Sequence, residues 1–146
     1  MMKLACALLV LFGGTLAHAA PLTATRTMDL PVAIDAVTTA AQNSGYQVVK
    51  VQPIDQALVK RGYPDPGIRI LFIGKSSTMD QAMKINPRLL SVLPLRLSLI
   101  VEGKDTLVSS DDLESWKDMF PDPGTARLVD TWQRDLRTIL RDFSGR

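Results

Sequence analysis

Hydrophobic and polar positions alternate along this chain with two different periods, and the switches between them mark its elements. Residues 23–30, TATRTMDL, form a Thr-rich alternating run that predicts a strand, ending before Pro31. Proline is favourable at a first helical position, where its missing N–H would be unpaired anyway. Over residues 32–44 the apolar positions Ile34, Val37 and Ala41 recur at helical spacing, and Gly45 can take the left-handed position that closes a helix. YQVVKV, residues 46–51, is β-branched and predicts a second strand. A short helix over 53–61 follows, closed by Gly62, and then YPDPG, where two prolines and a glycine make a turn. IRILFIG, residues 68–74, is an almost unbroken apolar run. That predicts a strand buried on both faces, as in the centre of a sheet.

Residues 77–85 return to helical spacing. Ser77 with Asp80 three positions on predicts a capping box, and Asn86-Pro87 stops the helix. In VLPLRLSLIV, Leu93, Leu95, Leu97, Leu99 and Val101 fall on one face, with Pro94, Arg96, Ser98 and Ile100 on the other. EGKD then reads as a hairpin turn, and residues 106–110 return antiparallel. In FPDPG, Asp122 can cap a helix with Pro123 at its first position. The predicted helix runs over 125–143, with Leu128, Trp132, Leu136, Ile139, Leu140 and Phe143 as its apolar stripe. Its Arg127, Arg134, Arg137 and Arg141, interspersed with Asp130, Asp135 and Asp142, read as a solvated face of mixed sign. The order β-α-β-α-β-α-β-β-α predicts an α+β fold: a two-layer sandwich, one mixed β-sheet with helices packed on it.

Composition changes the picture mainly at the N-terminus. Lys3 precedes an apolar run over 4–16, and Ala17-His18-Ala19 supplies small residues at a cleavage site. This is the pattern of a signal peptide spanning residues 1–19, with a run too short for the roughly 20 residues that span a bilayer. The expectation is an exported protein, periplasmic or secreted, with residues 20–146 as one domain and no stable membrane insertion after cleavage. Cys6 and His18, the only cysteine and histidine, would leave with the leader. The remainder would then lack thiol catalysis, a Ser-His-Asp triad and the usual zinc or haem ligands, so no cofactor and no metal are expected. With 17 basic and 15 acidic residues in the whole chain, the balance gives no reason to propose nucleic acid as a partner.

IGKSS, residues 73–77, resembles the end of a phosphate-binding loop. A Gly-x4-Gly-Lys-Ser motif would need its first glycine at position 69, where Arg69 stands inside a strand. What survives is a junction between a strand and a helix N-terminus, where Lys75, Ser76 and Ser77 could meet an anionic group. Arg96 and Ser98, on the strand face opposite the leucines, are the other candidate ligand-binding residues. A charge there must be paired if a helix covers that face.

The segment RILFIGKSSTMDQAMKINPRLLSVLPLRLSLIVEGKDTLVSSDD resembles the DUF302 family, small α+β domains of the TT1751-like fold. The likeness rests on Phe72-Ile73-Gly74 ending an apolar strand, the Asn-Pro after a helix, the Leu93-Pro94-Leu95-Arg96 strand start and the acidic pair Asp111-Asp112. AIDAVTTAAQNSGYQVV is similar to the family's opening, so the resemblance covers residues 25–112 and leaves the last helix outside. It implies the fold and no activity, since the family is one of unknown function. The leading expectation is a non-catalytic binding or accessory module for a small anionic ligand or a partner protein. Alternatives are a small hydrolase using Ser76 or Ser77 with Lys75, or the carboxylates Asp111, Asp112 and Glu114, and a structural protein. In the last case an open hairpin edge would pair two copies into a homodimer.

Overall fold

The computed structural model describes residues 21–145, so the signal-peptide expectation lies outside the described residues. Five strands and five helices follow in the order β1 (Thr23–Thr27), α1 (Leu30–Asn43), β2 (Gln47–Pro53), α2 (Asp55–Val59), β3 (Ile68–Gly74), α3 (Ser76–Ile85), β4 (Leu95–Glu102), β5 (Asp105–Ser110), α4 (Glu114–Met119) and α5 (Pro123–Ser144). A single 3-10 turn, Pro87–Ser91, links α3 to β4.

The strands form one sheet in the order β1-β5-β4-β3-β2. The α+β class holds, but the sheet is not mixed: every neighbouring pair is antiparallel. β1 and β2 do run the same way, as a helical crossover requires. They never meet, because β3, β4 and β5 are inserted between them and α1 spans the sheet from edge to edge. The β4–β5 hairpin therefore lies inside the sheet. The open edges belong to β1 and β2.

The helices cover one face. Leu71 and Ile73 of β3, Leu95, Leu97 and Leu99 of β4 and Val108 of β5 are fully buried or nearly so. They meet Ala33, Val37, Ala40 and Ala41 of α1 and Leu128, Trp132, Leu136, Ile139, Leu140 and Phe143 of α5. Alanines on α1 let its backbone approach the sheet and α5 closely. Alternation places Ile68, Ile70 and Phe72 on the other face, where they are only half-buried. β3 is thus not buried on both faces, as its apolar run predicted, and it lies second from an edge. The leucine stripe of β4 is buried over Leu95–Leu99. Leu93 precedes the strand, and Val101 is exposed beyond the core against Gly67, whose φ of +61° suits glycine.

The ends of the last helix follow the sequence. Asp122 Oδ1 accepts a hydrogen bond from the Thr125 backbone N–H at 2.8 Å, its Oδ2 accepts one from the Thr125 hydroxyl, and Gly145 closes the helix at φ 74°. The capping box on α3 does not form. The cap is Lys75, two residues before Ser77, and it makes no side-chain cap hydrogen bond. β1 also stops at Thr27, short of the expected residue 30. The helix α4 was not anticipated. Its Trp116 meets Trp132 of α5 edge to face, with centroids 6.2 Å apart.

Candidate functional site

Lys75 leaves the end of β3 and turns toward the helical layer. Its Nζ donates to the Ser44 carbonyl oxygen at 3.3 Å, which satisfies the C-terminal end of α1, and stands 3.9 Å from Asp135 Oδ2. The same ammonium lies 5.2 Å from the centroid of the Tyr46 ring, and its stem passes where Gly45 has no side chain. Tyr46, 1% exposed, donates its hydroxyl to Asp135 Oδ2 at 2.8 Å. Burial, then the hydrogen bond to Asp135 and that residue's charge, push the phenol well above its ordinary range. Lys75, Tyr46 and Asp135 so form one lock between the start of β2, the start of α3 and the middle of α5. Ser76 and Ser77 remain exposed on the first turn of α3. Lys75 and Ser76 line a shallow groove of about 340 Å³ with Gly45, Val49 and Met79.

Arg96 and Ser98 are elsewhere, on the uncovered face of the sheet. The strand register sets Arg96 beside Phe72 and Ser98 between Ile70 and Ser109. No helix covers Arg96, yet it is paired: Nε and an η nitrogen donate to the two oxygens of Asp111 at 2.8 and 2.9 Å. That bidentate clamp fixes the chain as it leaves β5 and keeps the guanidinium charged. The two groups of candidates are therefore not brought together, since one faces the helices and the other faces away from them.

The carboxylates considered for catalysis are each engaged. Asp111 holds Arg96, Glu114 holds Lys117, and Asp112 Oδ1 accepts from the Glu114 backbone N–H at 3.1 Å. No group of three potential metal-ligating side chains occurs among the described residues. No described helix is long and apolar enough to cross a membrane.

A different cluster emerges on α5. At about 3.6 residues per turn, Arg127, Arg134, Arg137 and Arg141 fall within about a quarter of the helix circumference, and all four are exposed. The acids of the same helix are drawn off. Asp130 Oδ1 takes Lys117 Nζ at 2.7 Å, Asp135 accepts from Tyr46, and Asp142 Oδ1 accepts from Nε and an η nitrogen of its neighbour Arg141 at 3.4 and 3.3 Å. Arg127 and Arg137 make no ion pair among the described residues, and Arg134 bonds only to the Thr131 hydroxyl, at 3.1 Å.

The stripe borders two open hollows that share Arg137. One, about 580 Å³, runs along Arg127, Asp130, Thr131 and Arg134. The other, about 450 Å³, lies between α5 and β1, lined by Leu22, Ala24, Arg137, Leu140, Arg141 and Ser144. The sequence shows these arginines but not the pairing of Asp130. Helical phase alone would have put Asp135 and Asp142 off the arginine arc. Asp130 lies on that arc, and only its partner Lys117 on α4 neutralises it.

The chain belongs to the DUF302 family: the model of this family, described as a domain of unknown function, matches residues 22–143. The match runs through α5, beyond the part whose likeness is visible by eye. The fold is similar to the crystal structure of an uncharacterized conserved protein DUF302 from Bacillus stearothermophilus. The two share 15% identity and superpose with a TM-score of 0.78, covering 84% of this chain and 96% of the other. No curated protein matches the chain.

Proposed function

We propose that this chain is an exported, non-catalytic binding module that takes an anionic ligand or partner in the groove between β1 and α5. The observation that carries the reading is the arginine arc of α5, where Asp130 is paired with Lys117, Arg141 meets only its neighbour Asp142 and Arg137 makes no ion pair among the described residues, and which opens onto a groove of about 450 Å³. Guanidinium groups present planar forks suited to carboxylate and phosphate, and several together raise the local concentration of anions. With a formal net charge of only +2, the chain as a whole would not attract them, so the attraction belongs to this surface. Against a hydrolase stand the engagements of Asp111, Glu114 and Lys75, none of which faces a serine as a general base. Export rests on the leader-like residues 1–19, and N-terminal sequencing of protein recovered outside the cytoplasm should begin at Ala20.

The binding test is a calorimetric titration of the full chain with oligoglutamate and with tripolyphosphate at low and at physiological salt. At least one anion should bind, with an affinity that falls as salt rises. The double substitution Arg137→Glu with Arg141→Glu should abolish it. Binding that survives the charge reversal, or no binding by either anion, overturns the reading.

A further inference from the structure

The two edges of the sheet are not alike. β2 carries the devices that prevent strand pairing: a bulge between Val48 and Lys50, the charge of Lys50 and a terminal Pro53. β1 has neither proline nor bulge between Thr23 and Thr27, and its one charge, Arg26, is drawn to α5, where an η nitrogen donates to the Phe143 carbonyl oxygen at 3.1 Å. Leu22 accepts from the Ser110 backbone N–H at 2.9 Å and its own N–H turns to the Ser110 hydroxyl at 3.2 Å, so its peptide groups face β5. Backbone alternation in a strand then turns the N–H and C=O of Thr23 and Thr25 outward, away from the sheet. The outward row opens on the same groove that Arg137 and Arg141 overlook.

We infer that β1 is a docking edge, and that its occupant is an extended acidic segment of a partner polypeptide that adds as a sixth strand. This rests on the anion-binding reading above and specifies its ligand. Main-chain hydrogen bonds to Thr23 and Thr25 hold the segment, as in other cases of strand addition. Alternate side chains of the added strand point to the helical layer. There, carboxylates reach Arg137 and Arg141, while an apolar residue rests on Leu22, Ala24 and Leu140. A small inorganic anion would satisfy the arginines and leave the strand edge unused. An acidic peptide uses both, and the coincidence of an open edge with a basic surface, on which Arg137 makes no ion pair among the described residues and Arg141 meets only its neighbour Asp142, favours it.

The test uses a fluorescein-labelled peptide alternating glutamate with threonine, the same peptide N-methylated at alternate backbone positions, and tripolyphosphate. All three are titrated by anisotropy or competition against the full chain. A second protein, Thr25→Pro, removes an outward N–H that no bond within the sheet uses, and circular dichroism establishes that it folds. The unmodified peptide should bind at least about tenfold tighter than its N-methylated form, Thr25→Pro should lose a comparable factor, and tripolyphosphate should compete weakly. Equal binding of both peptides and unchanged binding by Thr25→Pro overturn strand addition, while loss on Arg137→Glu with Arg141→Glu keeps the anion-binding reading. If neither peptide nor tripolyphosphate binds, both readings fall together. Displacement of the peptide by a second copy of the chain, seen as dimerisation that Thr25→Pro abolishes, would make self-association the use of the edge and overturn the acidic partner.

Discussion

Replacing Tyr46 by phenylalanine removes one oxygen from a site that is otherwise packed. The ring stays among the core residues, so no cavity forms, and what is lost is the 2.8 Å hydrogen bond to Asp135 together with the hydroxyl's bond to Thr78. A hydrogen bond to a charged group contributes about 1.5–3 kcal/mol. The Asp135 side chain retains 27% exposure and the neighbouring Lys75 ammonium, so water can replace the phenol in part, and the cost at neutral pH should lie near 1.5 kcal/mol, the lower end of that range. The pH dependence is more diagnostic. Burial, the hydrogen bond and the Asp135 charge raise the folded phenol above its unfolded value of about 10. For a group raised on folding, the stabilisation is complete below the unfolded pKa and is lost as pH rises beyond it. Unfolded Tyr46 ionises from about pH 10 while the folded form resists, so by pH 11 the native protein should lose about 1.4 kcal/mol that the phenylalanine variant does not. Denaturant melts of both proteins from pH 8 to 11 measure this. The stability gap should be constant to about pH 9.5 and close above it. Parallel curves throughout would mean that the phenol is not held in its neutral form, and the lock at Asp135 would lose its physical basis.

The remaining predictions concern packing. Leu97→Ala, at a fully buried position on the central strand between Leu71 and Ser110, should cost about 2–5 kcal/mol in denaturant melts, whereas Ser98→Ala on the uncovered face should cost under about 1; the reverse order would invert the register of β4. Gly124→Ala places a Cβ 2.5 Å from Ile85 Cγ2, so it should destabilise by about 1–3 kcal/mol despite alanine's better helix propensity. In an Ile85→Ala background the same change should become neutral or favourable, and thermal melts of the four proteins in that cycle should show the sign change.

Much of the fold was legible in the sequence, for identifiable reasons. β4 and α5 were read correctly because each has one buried face, and a single buried face writes its period into the chain: Leu95, Leu97 and Leu99 on the strand, and Leu128 to Phe143 on the helix. β3 misled because its run is apolar on both faces while only one is covered, and an apolar residue can be left half-exposed without penalty to the pattern. Ser77 and Asp80 had the spacing of a capping box, but Lys75 takes the cap position because its side chain is recruited to Ser44 and Asp135, contacts 31 and 60 positions away that no local motif encodes. The missing α4 is six residues long, too short for a period to declare itself.

The same distinction explains why the site was hidden. A charge pattern on a helix reads as solvated when opposite signs alternate, and α5 does alternate in sequence. The charge it presents depends on which acids are paired with residues elsewhere. Asp130, the one acid on the arginine arc, is paired with Lys117 from α4. That partner comes from a separate element, so this pairing is made only once the chain has folded. The status of β1 is likewise a consequence of topology. Nothing in TATRT distinguishes an edge from an interior strand. It lies at an edge because α1 carries the chain across to the far side, and β3, β4 and β5 then fill the space between. Arginines that the sequence places more than a hundred residues after β1 are set beside it by the packing of α5 on the sheet. An open strand edge and a basic helical arc are each ordinary when separate. Their adjacency is a product of the tertiary structure alone, and reversing Arg137 and Arg141 or blocking Thr25 probes each half of it without touching the core.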